Sequence, residues 1–288
     1  MHASPAPGQI LPGQLLLRTE GPCDLDPGRL LEVFGRQRQR FAAVLQGFGP
    51  GDWAAPTRCA DWSAHHVVRH LCDGNAIIKA WVTGTGYSTL DVTAGFDPRI
   101  TPRTWPALSA GGSPGATLSR FVATTEELLA LARARLTQNR AFDIRLPYGP
   151  MTWTVGILHA FWDSWLHERD VLLARGREHP TDGDATLYAS AYGVFIATAV
   201  ASMFGDQVQE KLTLGGDGGG VFELEARGAA TLTVTRASTT GPPAAQVTDA
   251  LGGRAPIAAV LGGLPASSRA ALSRMADFFN TPARQSPA

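Results

Sequence analysis

The chain has 288 residues, 44% of them hydrophobic, and its 25 basic and 25 acidic residues give a formal net charge of zero. This length suits two domains with real cores, and the neutral charge argues against binding to nucleic acid or to an anionic membrane. The cysteines, Cys23, Cys59 and Cys72, form no CxxC motif, so we expect no disulfide framework and a reduced, cytoplasmic location.

Helical periodicity dominates the first two-thirds of the chain. Residues 1–26 are rich in Pro and Gly, lack the features of a signal peptide, and are predicted to be poorly ordered. Beyond them, apolar residues recur at spacings of three and four, and residues 85–112 form a long connection without a clear period. The apolar segment 193–204 is shorter than the roughly 18 residues of a membrane span and indicates a buried helix. The predicted helices cover residues 27–48, 63–84, 114–136, 154–175 and 183–204.

The last third of the chain has a different pattern. "VFELEA" (221–226) and "ATLTVTR" (230–236) alternate like half-buried strands, and the residues between them could turn a hairpin. Residues 244–263 are predicted to be a short strand leading into a helix, and residues 267–280 a final helix. We therefore predict four segments: a poorly ordered segment 1–26, a helical bundle 27–205, a small α+β domain 206–280 and a flexible tail 281–288.

The fourth predicted helix carries a polar stripe. His159, Asp163 and His167 follow one another at intervals of four residues, and Asp170 lies three further on, so all four share one helix face. A solvent-exposed face with surface ion pairs is one interpretation, because such pairs are common. A polar lining inside the bundle is the other, because Arg and Glu are more usual than paired histidines on a solvated face.

The second predicted helix offers a partner for this stripe. His66 and His70 are also four apart, but Val67 stands where a zinc protease needs its Glu, so that class is disfavoured. Metal sites in bundles are built from inward side chains on facing helices. A set of His70, Asp163 and His167 would suit Zn²⁺ with one position open, and Mn²⁺, Fe²⁺ or Ni²⁺ would tolerate the same ligands.

Two motifs in these helices resemble the mycothiol-dependent maleylpyruvate isomerase family, which belongs to the DinB-like bundle superfamily. They are W-(x)2-P-T-x-C-x-D-W-S-(x)3-V-V-x-H-L at residues 53–71 and F-W-D-S-W-L-H-E-R-D-V-(x)2-A-x-G at residues 161–176. The resemblance extends from about residue 29 to 265. It implies a DinB-like four-helix bundle followed by a small C-terminal α+β domain, with His70, Asp163 and His167 as ligands of a divalent metal, most simply Zn²⁺.

The resemblance also implies a function. Family members act as isomerases or thiol S-transferases, so we expect mycothiol or a related thiol as cofactor and a small electrophilic, anionic substrate. The family carries Glu where this chain has Asp163, so His159 or His66 could join the ligands, and Asp170 is expected to lie behind them or to cap the helix. Arg254 lies near where the family uses an arginine to hold an anion, and His159 and Arg254 are the further catalytic candidates.

Two alternatives stay open at this point. The same ligands could serve a thiol-independent hydrolase or lyase, and a thiol-dependence assay would distinguish the two. The bundle could instead enclose an apolar ligand without catalysis, with its tryptophans as the lining rather than as core residues. The sequence contains no G-x-S-x-G motif, P-loop or dinucleotide fingerprint. A small-molecule substrate and a thiol are the expected partners, and a monomer or a small homo-oligomer is the expected state.

Overall fold

The structure is a computed structural model that describes residues 16–19, 25–83, 112–138, 143–146, 149–180, 182–227 and 230–280. The long connection and the C-terminal tail that the sequence predicts therefore lie outside the described residues. The chain divides into two compact units. The helical unit comprises Asp26–Ile144 and Met151–Pro180, and the C-terminal unit comprises Met1–Leu25, Arg145–Pro150 and Thr181–Ala288.

Five helices form the described part of the helical unit. Two begin at caps that the chain supplies locally: the Asp26 carboxylate accepts from the backbone N–H of Arg29, and the Ser113 hydroxyl accepts from that of Ala116. Proline follows each cap, in the first turn, where its missing N–H costs no hydrogen bond. The helices are α1 (Pro27–Gln46), α2 (Pro50–Ala54), α3 (Ala64–Thr83), α4 (Pro114–Thr137) and α5 (Trp153–Leu173).

The four long helices close into a bundle, because α1 and α3 each contact both α4 and α5. Aromatic side chains fill its core, with edge-to-face pairs of Phe34 on Phe161 and of Phe41 on Phe121. His70 on α3 contacts Asp163 on α5, whereas Arg58, before α3, contacts Asp170 near the end of α5. The two helices therefore run antiparallel, and their polar residues meet along one seam.

The C-terminal unit is built on a four-stranded sheet in the order β1-β6-β5-β4. Strands β4 (Val208–Leu214), β5 (Gly220–Ala226) and β6 (Ala230–Arg236) are antiparallel, and β1 (Leu16–Thr19) pairs parallel with β6. Strands β2 (Asp143–Leu146) and β3 (Gly149–Thr152) form a separate two-stranded sheet, of which only Arg145–Pro150 belong to this unit. The helices of this unit are α6 (Gly183–Met203), α7 (Ala244–Leu251), α8 (Ile257–Val260) and α9 (Ala266–Asn280). The predicted fold class, a helical bundle followed by a small α+β domain, is confirmed.

Helix α6 packs on β5, β6, α7 and α9. The boundary between the units therefore falls at residue 181, whereas the sequence placed it near residue 205. Among the described residues α6 is long and apolar enough to cross a membrane, but 94% of its apolar window is buried within the protein. A helix that is buried on every side carries no amphipathic stripe, so its sequence does not indicate which elements cover it.

Two other predictions differ from the structure. Residues 244–251 form α7 rather than a strand, because Val247, Ala250 and Leu251 are spaced so that one helical face buries all three. Leu16–Thr19, within the segment predicted to be poorly ordered, form β1 against the edge strand β6. Without β1, the backbone N–H and C=O groups along one edge of β6 would lack partners in the sheet. Pairing with these groups explains why a short segment without clear periodicity forms a strand.

Candidate metal centre

Three polar side chains from α3 and α5 converge in the helical unit. His70 Nε2 lies 3.2 Å from Asp163 Oδ2, and His167 Nε2 lies 3.4 Å from Asp163 Oδ1. The two imidazole centroids are 5.0 Å apart, and the three donor atoms all lie within 4.8 Å of one another. Both histidines are buried, while the Asp163 side chain is 25% exposed. One carboxylate thus bridges the two imidazoles that the sequence grouped with it, and we call these three residues the triad.

The start of α3 determines the direction in which His70 points. The Ser63 hydroxyl accepts from the backbone N–H of His66, and the Nδ1 of His66 accepts from the backbone N–H of Ser63. This is a capping box with an imidazole in place of the usual Glu or Gln. His66 is therefore engaged at the helix terminus, and within the described ranges neither group of side chains with metal-binding geometry includes it. His70 follows one turn later, on the face toward α5.

Trp62 forms an aromatic wall beside the triad. Its ring centroid lies 5.0 Å from that of His70 and 5.8 Å from that of His167, with the latter pair nearly parallel. The sequence treated the tryptophans as one set, but Trp62 is half-buried against the histidines. The side chain of Trp81 and all of Trp105 lie outside what the structure describes. The core interpretation holds for the fully buried ones, Trp53, Trp153, Trp162 and Trp165.

The side chains of Asp163 and His167 in the triad carry charges of opposite sign. Burial raises the pKa of the Asp163 carboxyl, but the charges of His167 and His70 and their hydrogen bonds outweigh burial and hold it well below its ordinary value. Burial lowers the pKa of His167, but Asp163 and Cys59, together with hydrogen bonds to Asp163 and Asp170, bring it well above its ordinary value. A cation entering the site would meet an ionised carboxylate and would compete with a proton for His167.

His159, one turn before Asp163 on α5, lies within electrostatic reach of the triad. Burial lowers the pKa of His159; Asp163 raises it, His70 lowers it, and the net shift is downward. Its ring is 6.0 Å from that of Trp162. Among the described residues the groups with ligand geometry do not include His159, so it borders the triad as a neutral imidazole rather than completing it.

Three residues lie behind His167, on the side away from Asp163. Asp170 Oδ2 is 3.1 Å from His167 Nδ1, and the Cys59 thiol donates to the same oxygen at 3.0 Å. Arg58 Nε donates to the other carboxylate oxygen of Asp170 at 3.1 Å. Because the carboxylate accepts the Nδ1 proton, the Nε2 lone pair faces Asp163 and His70 when His167 is neutral. Asp170 thus lies behind the ligands, one of the two places predicted for it, whereas the sequence gave no role to Arg58 or Cys59.

Glu168, the neighbour of His167 in sequence, belongs to a separate buried network. It is fully buried and accepts from Arg40 through two nitrogens, at 3.0 and 2.8 Å. Gln37 donates to it at 3.0 Å, and His179 Nε2 lies 3.1 Å away. These contacts fix α5 to α1 at the position where α5 presents His167.

Arg254, the other catalytic candidate from the sequence, lies in the C-terminal unit. Its backbone N–H donates to Asp249 O at 2.8 Å, and its guanidinium donates to Gly252 O. These contacts shape the turn after α7. A role for Arg254 in holding an anion stays a prediction.

The residues present fit a divalent cation. Two imidazole nitrogens and one carboxylate oxygen are donors that Zn²⁺ and similar cations take, and three protein ligands leave room for water or substrate. The two carboxylate oxygens of Asp163 lie 3.2 and 3.4 Å from the facing nitrogens of His70 and His167. A cation held by the triad would therefore place positive charge beside the Trp62 ring and the imidazole of His159.

Comparisons with known proteins find similarity to the helical bundle and to the fold. A family model described as the mycothiol maleylpyruvate isomerase N-terminal domain matches residues 34–172, a range that contains the whole triad. A crystal structure of a histidine-to-alanine mutant of the mycothiol-dependent maleylpyruvate isomerase has the same fold, with a TM-score of 0.56 at 12% identity over 81% of this chain and 91% of that chain. No curated protein matches the chain. Residues 34–172 of the chain therefore belong to the family of the mycothiol maleylpyruvate isomerase N-terminal domain.

Proposed function

We propose that this protein is a metal-dependent enzyme that uses mycothiol or a related low-molecular-weight thiol to isomerise a small, electrophilic, anionic substrate. The observation that carries the proposal is the triad: His70, Asp163 and His167 lie with their donor atoms within 4.8 Å, inside a domain of the mycothiol isomerase family. An S-transferase that uses the same thiol is the closest variant of this function, because the two reactions share their first step.

Each residue of the site has a definite task in this proposal. His70 and His167 present nitrogen lone pairs, and Asp163 supplies the one negative charge among the ligands. Asp170 holds the Nδ1 proton of His167 so that Nε2 faces the cation. A divalent cation held by these groups supplies positive charge that favours the deprotonated form of a thiol. His159 stays neutral next to the triad and accepts the thiol proton. A role for Arg254 in holding the anionic group of the substrate stays a prediction from the sequence.

The reaction needs no nucleophile from the protein. The sulfur of the thiol adds to one carbon of a cis carbon–carbon double bond that is conjugated to a carbonyl, and the electron pair moves to the carbonyl side. The bond that was double is then single and rotates. Expulsion of the same sulfur restores the double bond in the trans form and regenerates the thiolate, so atoms and electrons balance. A transferase would differ only in that the carbon–sulfur bond is kept or a different group leaves.

Metal content tests the proposal first. Protein purified without chelator or an affinity-tag metal is expected to hold about one equivalent of a divalent metal, and a His70→Ala, His167→Ala double variant is expected to hold none. His65→Ala is the matched control, because His65 lies on the same helix but pairs with the Thr117 hydroxyl at 2.8 Å. Absence of metal from the folded wild-type protein would overturn the proposal and favour a ligand-binding protein without catalysis.

Thiol dependence is the second test. The metal-loaded protein is incubated with a cis-enoyl diacid and a panel of thiols that includes mycothiol, and isomerisation is followed by absorbance. Turnover only with thiol supports the proposed function, and the appearance of a stable thioether identifies the S-transferase variant. Turnover without any thiol would indicate a metal-dependent hydrolase or lyase instead. A thiol-dependent reaction of this kind also fits the reduced, cytoplasmic location that we infer from the sequence.

A further inference from the structure

A second cluster of potential metal ligands shares His167 with the triad. Cys59 Sγ lies 3.6 Å from His167 Nδ1 and 3.0 Å from Asp170 Oδ2, and these last two atoms are 3.1 Å apart. The three atoms are a sulfur, a nitrogen and an oxygen, and all lie within 4.8 Å of one another. His167 therefore offers Nε2 to the triad and Nδ1 to this second cluster, so two sets of ligands meet on one imidazole.

The spacing of these atoms is close to that around a single cation. Zinc-to-sulfur bonds of about 2.3 Å and zinc-to-nitrogen or zinc-to-oxygen bonds of about 2.0 Å place tetrahedral ligand atoms roughly 3.3 to 3.6 Å apart. The separation of Cys59 Sγ and His167 Nδ1 already has this value. The contact of the thiol with Asp170 has to lengthen by about half an ångström, and that of His167 Nδ1 with Asp170 by about 0.2 Å, on the same basis, as a cation replaces the thiol proton between sulfur and oxygen.

The backbone around the cluster holds the three ligands in place. His167 and Asp170 are buried and three residues apart on α5. Cys59 lies in the turn before α3, where its N–H donates to the Thr57 hydroxyl at 3.1 Å and its carbonyl accepts from Trp62 N–H at 3.1 Å. The N–H of Arg58 donates to the carbonyl of Asp170 at 3.2 Å, which ties this turn to α5. Such preorganisation limits the reorganisation that ligand binding requires.

The ligand types give the second cluster a different preference from that of the triad. A thiolate is a soft donor that selects thiophilic cations, whereas the triad contains no sulfur. Cys59 is half-buried, and cation binding would release its thiol proton to solvent. Thiolate and carboxylate together balance the charge of a divalent cation. Arg58 keeps one oxygen of Asp170 occupied, which leaves the other oxygen toward the cluster.

We propose that Cys59, His167 and Asp170 form a second metal site for a thiophilic divalent cation such as Cd²⁺, and that this site competes with the triad for His167. A neutral imidazole has one lone pair. When Nδ1 binds a cation, Nε2 carries the proton, and His167 is withdrawn from the triad. Thiophilic cations are then inhibitors that act without touching substrate. The binding step is independent of the proposed function; only the inhibition rests on it.

Titration of the metal-free protein with Cd²⁺ tests the binding step. Wild-type protein is expected to develop the ultraviolet charge-transfer absorption of a cadmium thiolate, and Cys59→Ser is expected to lose it, with Cd²⁺ affinity weakened more than about tenfold. Cys23→Ser is the matched control and keeps the absorption. Cys72 is a poor competitor, because burial raises the pKa of its thiol to about 11. Wild-type protein without the absorption, or Cys59→Ser with it, would overturn the proposal.

Two further measurements separate this site from the triad. His70→Ala removes a triad ligand and is expected to keep the cadmium thiolate absorption, whereas His167→Ala, with folding checked by circular dichroism, is expected to lose it. In zinc-loaded wild-type protein, Cd²⁺ is expected to release Zn²⁺ as the absorption grows, and growth of the absorption with Zn²⁺ retained would overturn the competition. If the wild-type protein binds no Zn²⁺, the proposed function fails, while the Cd²⁺ titration still decides the present proposal.

Discussion

At the scale of single residues, His167 joins the most interactions of the site. Its Nε2 faces Asp163 at 3.4 Å and its Nδ1 faces Asp170 at 3.1 Å, so in the metal-free protein it can carry a proton on each nitrogen between two carboxylates. These contacts place its pKa well above the ordinary value despite burial. Each ring nitrogen of His167 can bind either a proton or a cation, but not both. Protonation of His167 and metal binding are therefore opposed, and pH sets the balance between them.

This opposition predicts a pH-dependent stabilisation by zinc. Because the pKa of His167 is raised in the folded protein, its protonated form stabilises the metal-free fold. This contribution is fully present below about pH 6.5, the ordinary pKa of histidine, and is lost as pH rises through the raised pKa. Asp163, with its lowered pKa, stays ionised throughout. The rise in Tm on adding Zn²⁺ is therefore expected to be larger at pH about 8 than at pH about 6. Asp163→Asn should show little zinc-dependent rise, and an equal rise at both pH values would contradict the prediction.

Asp61 shapes the turn that carries Cys59 and Trp62. It is a described non-glycine residue with a positive φ, 66°, a left-handed conformation that aspartate tolerates better than alanine. Asp61→Ala is expected to lower the free energy of unfolding by about 1 kcal/mol relative to Asp61→Gly, because only the alanine variant strains the backbone. Urea denaturation of the two variants measures the difference. Equal midpoints and slopes would show that this backbone conformation is not retained.

At the scale of elements, much of the helical unit is predictable because its signals are local. Asp26 and Ser113 cap their helices through backbone N–H groups only three residues away, so the sequence shows both partners together. The contact of Cys59 with Asp170 joins residues 111 positions apart, and its register depends on how α3 and α5 align. Periodicity gives the face of each helix but not this alignment. The triad could be predicted from the sequence only because α3 and α5 each carry a histidine on the face that turns toward the other helix.

The buried network of Glu168 fixes α5 against α1 and predicts a large effect of one substitution. Burial raises the pKa of Glu168, but the hydrogen bonds and charges of His179 and Arg40 outweigh it and lower the pKa below 4.5. Glu168→Gln leaves the Arg40 guanidinium without its carboxylate, so we expect a loss of about 3 kcal/mol in the free energy of unfolding.

Glu32→Gln is the matched control for this substitution. Glu32 pairs with Arg29 on the surface of α1, where both side chains are about half exposed, and the expected loss is below about 1 kcal/mol. Chemical denaturation of both variants near neutral pH gives the comparison. As pH falls through the lowered pKa of Glu168, its contribution is lost, so the two variants should converge in stability in acid. Similar losses near neutral pH would mean that the buried network does not hold α5.

At the scale of the whole molecule, the chain consists of two units with different sequence signals. The family model covers residues 34–172, within the span of the helical unit, and that unit carries every residue of the triad. The longest segment of the C-terminal unit, Thr181–Ala288, begins with α6, whose residues from Ala185 to Ser202 are all buried. The sequence assigned α6 to the bundle because it is the fifth predicted helix and precedes the change to alternating, strand-like segments. Its neighbours α7, α9, β5 and β6 lie later in the chain, and a uniformly apolar helix does not identify them.

Truncation at the two alternative boundaries is therefore expected to give opposite results. A protein ending at residue 180 keeps α1 to α5 and the triad, and we expect it to be soluble, helical and able to bind about one equivalent of Zn²⁺. A protein ending at residue 205 adds α6 without the sheet and helices that cover it, exposing a long apolar surface. We expect that protein to aggregate. Size-exclusion chromatography and circular dichroism of residues 25–180 and 25–205 make the comparison. If the longer protein is as monodisperse as the shorter one, α6 is stable without the sheet, and the boundary belongs near residue 205.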